Sequence, residues 1–358
     1  MINRREFFQL SGAALLISAC NFKLGQEPVS ESVVKIYSGY RVGESYVSKD
    51  AGMHIGTQRS SKRIKLANEI HSVIHSQKNN LKVFISKLEL TSYAQIGDGP
   101  YLPIQADKGN YFYGHGVIDE LRNVLYTSQA RITKTRDEND RTDEPGFVYV
   151  YSIPDFKIID KFSSFGMDPH DLRIIKDELL VCNGGRNSNV VFIDLKTRKL
   201  TKNYKVHESH ISLRHCDVID GENFLIASLT TDLNKPCPLY QLNLTTGLKA
   251  FVPPENLDMA LMRAQLLSVI NFKGHVFTTC PFTSSLIVWK TTGEFVGGFD
   301  IPAACNLGIS AKYDGVIVGS GEEKELARLV QIENGALKMS KLPWAMGVTG
   351  AHSLVLEV

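Results

Sequence analysis

Neither sign of charge dominates this sequence: Lys and Arg number 40 together, Asp and Glu 38. No basic field would draw the chain onto a phosphate backbone, so nucleic acid is discounted as a partner. The apolar run near the N-terminus, Leu10 to Ala19, is well short of the about 20 residues that cross a bilayer core. Cysteine is scarce, six in 358 residues, and no two are spaced Cys-x-x-Cys, which removes support for a cysteine zinc site or a thioredoxin-like centre. Gly-x-Ser-x-Gly, His-Glu-x-x-His, a phosphate loop and a Cys-x-x-Cys-His haem motif are all missing, which weakens the case for the enzymes that need them. No long amphipathic helical pattern appears from Val33 onward, so helix-based folds are set aside.

What is present starts with an address. In "NRREFFQLSGAALLISAC" the pair Arg4 and Arg5 precedes Phe7 and Phe8, then the short apolar run, then Cys20. Twin arginine before an aromatic pair looks like the Tat export signal, used by proteins that fold before crossing a membrane. Ile17-Ser18-Ala19-Cys20 looks like a lipobox, in which Cys20 would carry lipid. The expectation is a signal peptide over 1–20, a linker over 21–32 and one domain over 33–358, in a periplasmic protein anchored to a membrane through lipidated Cys20. Five cysteines then remain, an odd number, so at least one is unpaired or bonds another molecule.

Beyond the linker the chain repeats itself. Hairpin-like segments begin at Phe147, Asn189, Pro238, Ser285 and Arg328, each an alternating apolar run, a polar or glycine turn such as "TTG" or "ENG", and a second run. Alternation with period two argues half-buried strands. The segments recur at 42 to 49 residues, and about four strands per repeat is the pattern of a β-propeller. "GAHSLVLEV" at the C-terminus is a lone strand with no hairpin after it. The predicted fold is therefore all-β: a seven-bladed β-propeller closed by N- and C-terminal strands sharing one blade.

In phase with the repeat, predicted innermost strands begin at His71 (HSVI), His115 (HGVI), His170 (HDLRI), His215 (HCDVI) and His352 (HSLVL). Gln265 and Asn306 take the equivalent place in the two remaining repeats, while Asp171 and Arg214 are immediate neighbours. A ring of imidazoles at a channel mouth suits iron, copper or zinc, or an organic ligand. The alternative is that each histidine is an internal strut bonding an inter-blade loop. Alternation sends His215 and Cys216 to opposite faces, which favours an all-histidine site over a mixed one. His54, His75, His207 and His275 are out of phase and read as surface or core residues. The charged stretch from Ser128 to Gly146 reads as a lid or a solvated hairpin tip.

Three segments, "YFYGHGVIDELRNVLYTS", "GMDPHDLRIIKDELLVCNGG" and "HISLRHCDVIDG", resemble the hallmark segments of the exported β-propeller family catalogued as domain of unknown function 1513, with a match running from about residue 33 to the end. The resemblance implies a seven-bladed YVTN- or quinoprotein-like propeller delivered by a Tat signal, encoded beside imelysin-like and dihaem peroxidase-like proteins, and hence envelope iron or copper handling with a partner of that type. It carries over His115, His170 and His215, with weaker matches at His71 and His352, and lends no catalytic residue. Two segments depart from the pattern: "CNGG" runs directly into "RNSNVVFIDL", and "YTSQAR" replaces an acidic segment. The main expectation is a metal- or ligand-binding protein. The competing readings are an interaction scaffold with structural histidines and a metal- or quinone-dependent propeller enzyme.

Overall fold

The computed structural model describes residues 34–41, 51–57, 61–131, 145–251, 253–254, 257, 261–322, 325–345 and 353–357. Arg4, Arg5, Cys20, His352 and most of the Ser128–Gly146 stretch lie outside these residues.

The described chain is a succession of antiparallel strands. β1 (Val34–Arg41), β2 (Ala51–Thr57) and β3 (Ser61–Leu66) form a first meander. β4 (Ile70–Ser76), β5 (Leu81–Glu89), β6 (Thr91–Ile96) and β7 (Leu102–Gln105) follow, then β8 (Asn110–Asp119), β9 (Val124–Arg131), β10 (Phe147–Ser152) and β11 (Ile158–Ser163). β5 also pairs with β8, so these eight strands count as one sheet. Four-stranded sheets then come in turn: β12 (Met167–Ile175), β13 (Glu178–Gly184), β14 (Asn189–Asp194) and β15 (Leu200–Lys205); β16 (Ile211–Val218), β17 (Asn223–Thr230), β18 (Tyr240–Asn243) and β19 (Gly247–Ala250). β20 (Ser268–Phe272), β21 (His275–Cys280), β22 (Ser285–Lys290) and β23 (Phe295–Asp300) make the next, and β24 (Ala304–Ser310), β25 (Gly315–Ser320), β26 (Leu326–Glu333) and β27 (Ala336–Ala345) the last. The final strand β28 (Leu354–Glu357) returns to the first sheet and pairs antiparallel with β1, Val34 opposite Glu357.

The five hairpins read from the repeat correspond to β10–β11, β14–β15, β18–β19, β22–β23 and β26–β27. Their turns have the expected chemistry. Asn334 and Gly335 both take positive φ (51° and 79°) between β26 and β27, as a tight hairpin whose twist matches its strands requires. In the β18–β19 turn Asn243 Oδ1 accepts the backbone N–H groups of Thr245 and Thr246 at 3.0 Å, an Asx turn.

Facing sheets bury one layer each of side chains. Phe192 and Phe224 meet edge to face at 5.4 Å across the β12–β15 and β16–β19 sheets, and fully buried Trp289 packs against Phe251 at 5.4 Å between the next two. The first strands of the successive groups pack beside one another: β4 on β8, β8 on β12, β12 on β16, β16 on β20, β20 on β24 and β24 on β28, and β28 packs on β4.

Candidate metal centre

Those first strands carry the histidines, though not at their beginnings as expected. β8, β12 and β16 begin three to five residues before theirs, and only His71, second in β4, stands near a strand start. What sets the positions is an irregularity in pairing. The register of β4 on β5 shifts between Ile70 and Ser72, of β8 on β9 between Phe112 and Gly116, of β12 on β13 between Pro169 and Asp171, and of β16 on β17 between Leu213 and Cys216. Each shift brackets a histidine. A β-bulge adds a residue that the ladder does not pair, bends the strand and re-aims the extra side chain, so four separate strands turn an imidazole toward one point.

The result is a compact cluster. His71, His115, His170 and His215 are all buried, and one potential ligand atom from each lies within 4.8 Å of every other. Ring centroids stand 4.7 Å apart for His115 and His170 and for His170 and His215, and 4.9 Å for His71 and His115. The approach depends on Gly114, which precedes His115 with φ +100°; a Cβ there would fall 2.5 Å from Cδ2 of His71. The Ser72 hydroxyl donates to the Gly114 carbonyl at 2.6 Å and ties β4 to β8 at that point.

His170 bears most directly on the choice between ligand and strut. Both of its ring nitrogens are buried, and neither has a hydrogen-bond partner among the described residues. A strut would spend at least one nitrogen on a loop or strand group, because a buried unsatisfied polar atom costs about 1–3 kcal/mol. Burial, and then the neighbouring His215 and His115 rings, Arg214 and Lys87, hold the His170 pKa well below the usual 6.5. The ring is therefore neutral, the form that offers a lone pair to a metal.

Asp171, fully buried, stands behind the cluster. Its carboxylate accepts the backbone N–H of Leu172 at 2.8 Å and of Cys216 at 3.0 Å, pairs with Arg173 at 2.6 Å and lies 3.6 Å from His115 Nδ1. A carboxylate facing one imidazole nitrogen fixes the ring and leaves the other nitrogen for a ligand. Arg214 is also buried and reaches the Tyr113 hydroxyl at 3.5 Å, while the Tyr113 ring stands against His170 at 5.4 Å.

The other expected site residues fare differently. Asn306 is buried on β24 inside the same kind of register shift, between Ala304 and Leu307, and its Nδ2 has no hydrogen-bond partner among the described residues. Gln265 precedes β20 and forms an isolated bridge with Leu229, outside the inner strand. Cys216 packs in the apolar layer with Cys182, as alternation required. His54 is buried on β2, but His75, read as surface or core, lines a cavity that also touches His115. That cavity holds Arg173, Asp217 and Glu120 as well. The even steps, four residues from His71 to His75 and two from His215 to Asp217, were the available signal for two of these residues.

An all-β chain of successive antiparallel four-stranded units with polar groups converging from the first strand of several of them is the architecture of β-propellers, and solved structures agree. The chain resembles a structure of the mitotic checkpoint complex (TM-score 0.60, 13% identity, covering 95% of this chain and 92% of the other) and a putative 6-phosphogluconolactonase from Bacteroides fragilis (0.62, 12%, 93% and 100%). It is also similar to the WD40 β-propeller domain of Doa1 (0.56, 11%, 82% and 91%). At such identities the likeness concerns the fold alone. No curated protein matches in sequence. Residues 64–346 match the family described as "Protein of unknown function (DUF1513)", and the chain belongs to that family.

Proposed function

We propose that this protein is a seven-bladed propeller that binds one first-row transition-metal ion, of the zinc, copper or iron group, through His71, His115, His170 and His215 on its axis. The single observation carrying this reading is His170, with two buried nitrogens that find no hydrogen-bond partner among the described residues, within a four-imidazole cluster. Nitrogens about 2.0–2.1 Å from a tetrahedral zinc stand about 3.3 Å from each other. The 4.8 Å limit of the cluster is close enough for small side-chain rotations to reach that spacing. Neutral imidazoles suit all three metals, and no carboxylate of the kind a calcium-dependent lactonase employs joins the set.

The ring closure is part of the same reading. The seven first strands pack in sequence and back to the start, and β5–β8 pairing joins two blades. Arg4 and Arg5, the short apolar run and Cys20 support export by Tat and a lipid anchor in the periplasm. Folding before export lets the choice of metal be made inside the cell. In that setting the protein would hold or hand over iron or copper with an envelope partner, of the imelysin or dihaem peroxidase type.

Metal analysis of the purified chain by mass spectrometry tests the proposal, alongside a variant with His115, His170 and His215 changed to Ala. About one equivalent of metal in the parent and none in the variant is expected. A folded parent that carries none and takes up none of the three ions would return the histidines to a structural role.

A further inference from the structure

None of the four ligand histidines is more than 6% exposed, so an ion needs a way in. In one chain direction the cluster is backed by two buried side chains. Tyr113 and Arg214 precede their histidines on β8 and β16, are 2% and 0% exposed, and touch each other. In the other direction a cavity of about 520 Å³ begins at His115 and runs along residues that follow the histidines in their strands. Its charged and titratable wall groups are His75, Glu120, Arg173 and Asp217, and Ile309, 43% exposed, lies toward solvent on β24.

The wall is not neutral. Arg173 pairs with Asp171 at 2.6 Å and its charge also reaches Asp217, so three carboxylates, those of Asp171, Glu120 and Asp217, stand against one guanidinium. Glu120 and Asp217 are held in place: the Ser76 hydroxyl donates to Glu120 at 2.6 Å and the Asn271 backbone N–H to Asp217 at 2.6 Å. The remaining lining is largely apolar, including Val73, Ile270 and Leu354. Fixed charges of one sign between low-dielectric walls focus the field and raise the local concentration of the opposite charge.

We propose that this cavity is the path by which a divalent cation reaches and leaves the histidine cluster, with Glu120 and Asp217 selecting for positive charge along it. The proposal rests on the metal-binding reading of the cluster and adds a direction and a charge filter to it. The apo protein fills and empties through this mouth, and Tyr113 and Arg214 back the cluster on the other side.

Zinc loading and release of the full chain, followed with a chromophoric chelator, test it. In a Cys20→Ser background, Ile309→Cys places a thiol at the mouth while Cys182, Cys216, Cys237, Cys280 and Cys305 stay buried. Labelling the introduced thiol with a bulky methanethiosulfonate should slow zinc association and release together by about tenfold or more, with the equilibrium affinity unchanged and the rates restored by reductant. Stoichiometric binding with both rates untouched by the block would overturn the path. A second variant, Glu120→Gln with Asp217→Asn, should lower the association rate several-fold at low ionic strength and lose the difference at high salt; equal rates at low salt would overturn the filter. Unlabelled protein that binds none of zinc, copper and iron would overturn the cluster reading, and the path with it.

Discussion

Gly114 and His71 sit on neighbouring strands in an arrangement that admits no side chain on the first: the space a Cβ would take lies 2.5 Å from the His71 ring. The close approach of β4 and β8 is thus written into one residue without a side chain, and the imidazole fills the gap.

Gly114→Ala should therefore displace His71 and weaken metal binding. It should also destabilise the fold by about 1–3 kcal/mol, because φ +100° is unfavourable for alanine. Gly109→Ala is the control, since φ there is +85° and nothing lies within 4 Å of the added carbon. Calorimetric metal titration and thermal melts of both variants separate the two effects. Both should melt lower, and only Gly114→Ala should lose affinity.

Asp171 faces His115 Nδ1 at 3.6 Å and, on the proposed reading, positions that ring. Asp171→Asn keeps the shape, forfeits the charge facing His115 and Arg173, and should weaken metal affinity about 10- to 100-fold. Chelator competition gives the number. An affinity equal to the parent's would show that the carboxylate serves only Arg173 and the Leu172 and Cys216 backbone.

His54 on β2, outside the four-histidine cluster, should make the apo protein acid-sensitive. Burial, and then Arg63, lower its pKa to about 4 from 6.5. The unfolded chain binds this proton more readily than the folded one. Stability contributed above pH 6.5 is therefore lost progressively as the pH falls toward about 4, by roughly 3 kcal/mol at the limit. Urea unfolding of the apo chain between pH 7 and 4 should show that loss, and His54→Gln should make the curve shallower across this window, with buried His170 supplying part of the slope that remains.

The five cysteines from Cys182 to Cys305 are buried thiols. Burial pushes Cys237 and Cys305 up to about 12, so neither offers thiolate at neutral pH. Ellman's reagent should leave all five unmodified in the native protein and react with all five in guanidinium. Rapid native labelling of any of them would contradict the packing of these sheets.

The strands, hairpins and phase of the histidines were legible in sequence because period-two alternation and a repeat near 45 residues act over short distances. The turns "TTG" and "ENG" marked hairpin positions closely. The mechanism that gathers the four histidines was not legible: a bulge depends on which residue of the partner strand is left unopposed, as at Pro169–Asp171 over β13. Arg173 and Glu120 were missed because their place follows from how four strands are staggered about the cavity, which alternation within one strand does not report. His75 was passed over because phase was counted from strand starts, whereas its even step from His71 would have placed it on the same wall.

Each imidazole of the cluster comes from a different run of strands, and the four lie 44, 55 and 45 residues apart along the chain. A bound ion would close three long loops at once, as a set of cross-links does in chains that have them. Units that otherwise touch mainly through side-chain layers would then open together or not at all. The metal-loaded protein should melt in a single sharp transition, and its strands β4, β8, β12 and β16 should gain protection from hydrogen exchange together, while the empty form frays from one unit to the next.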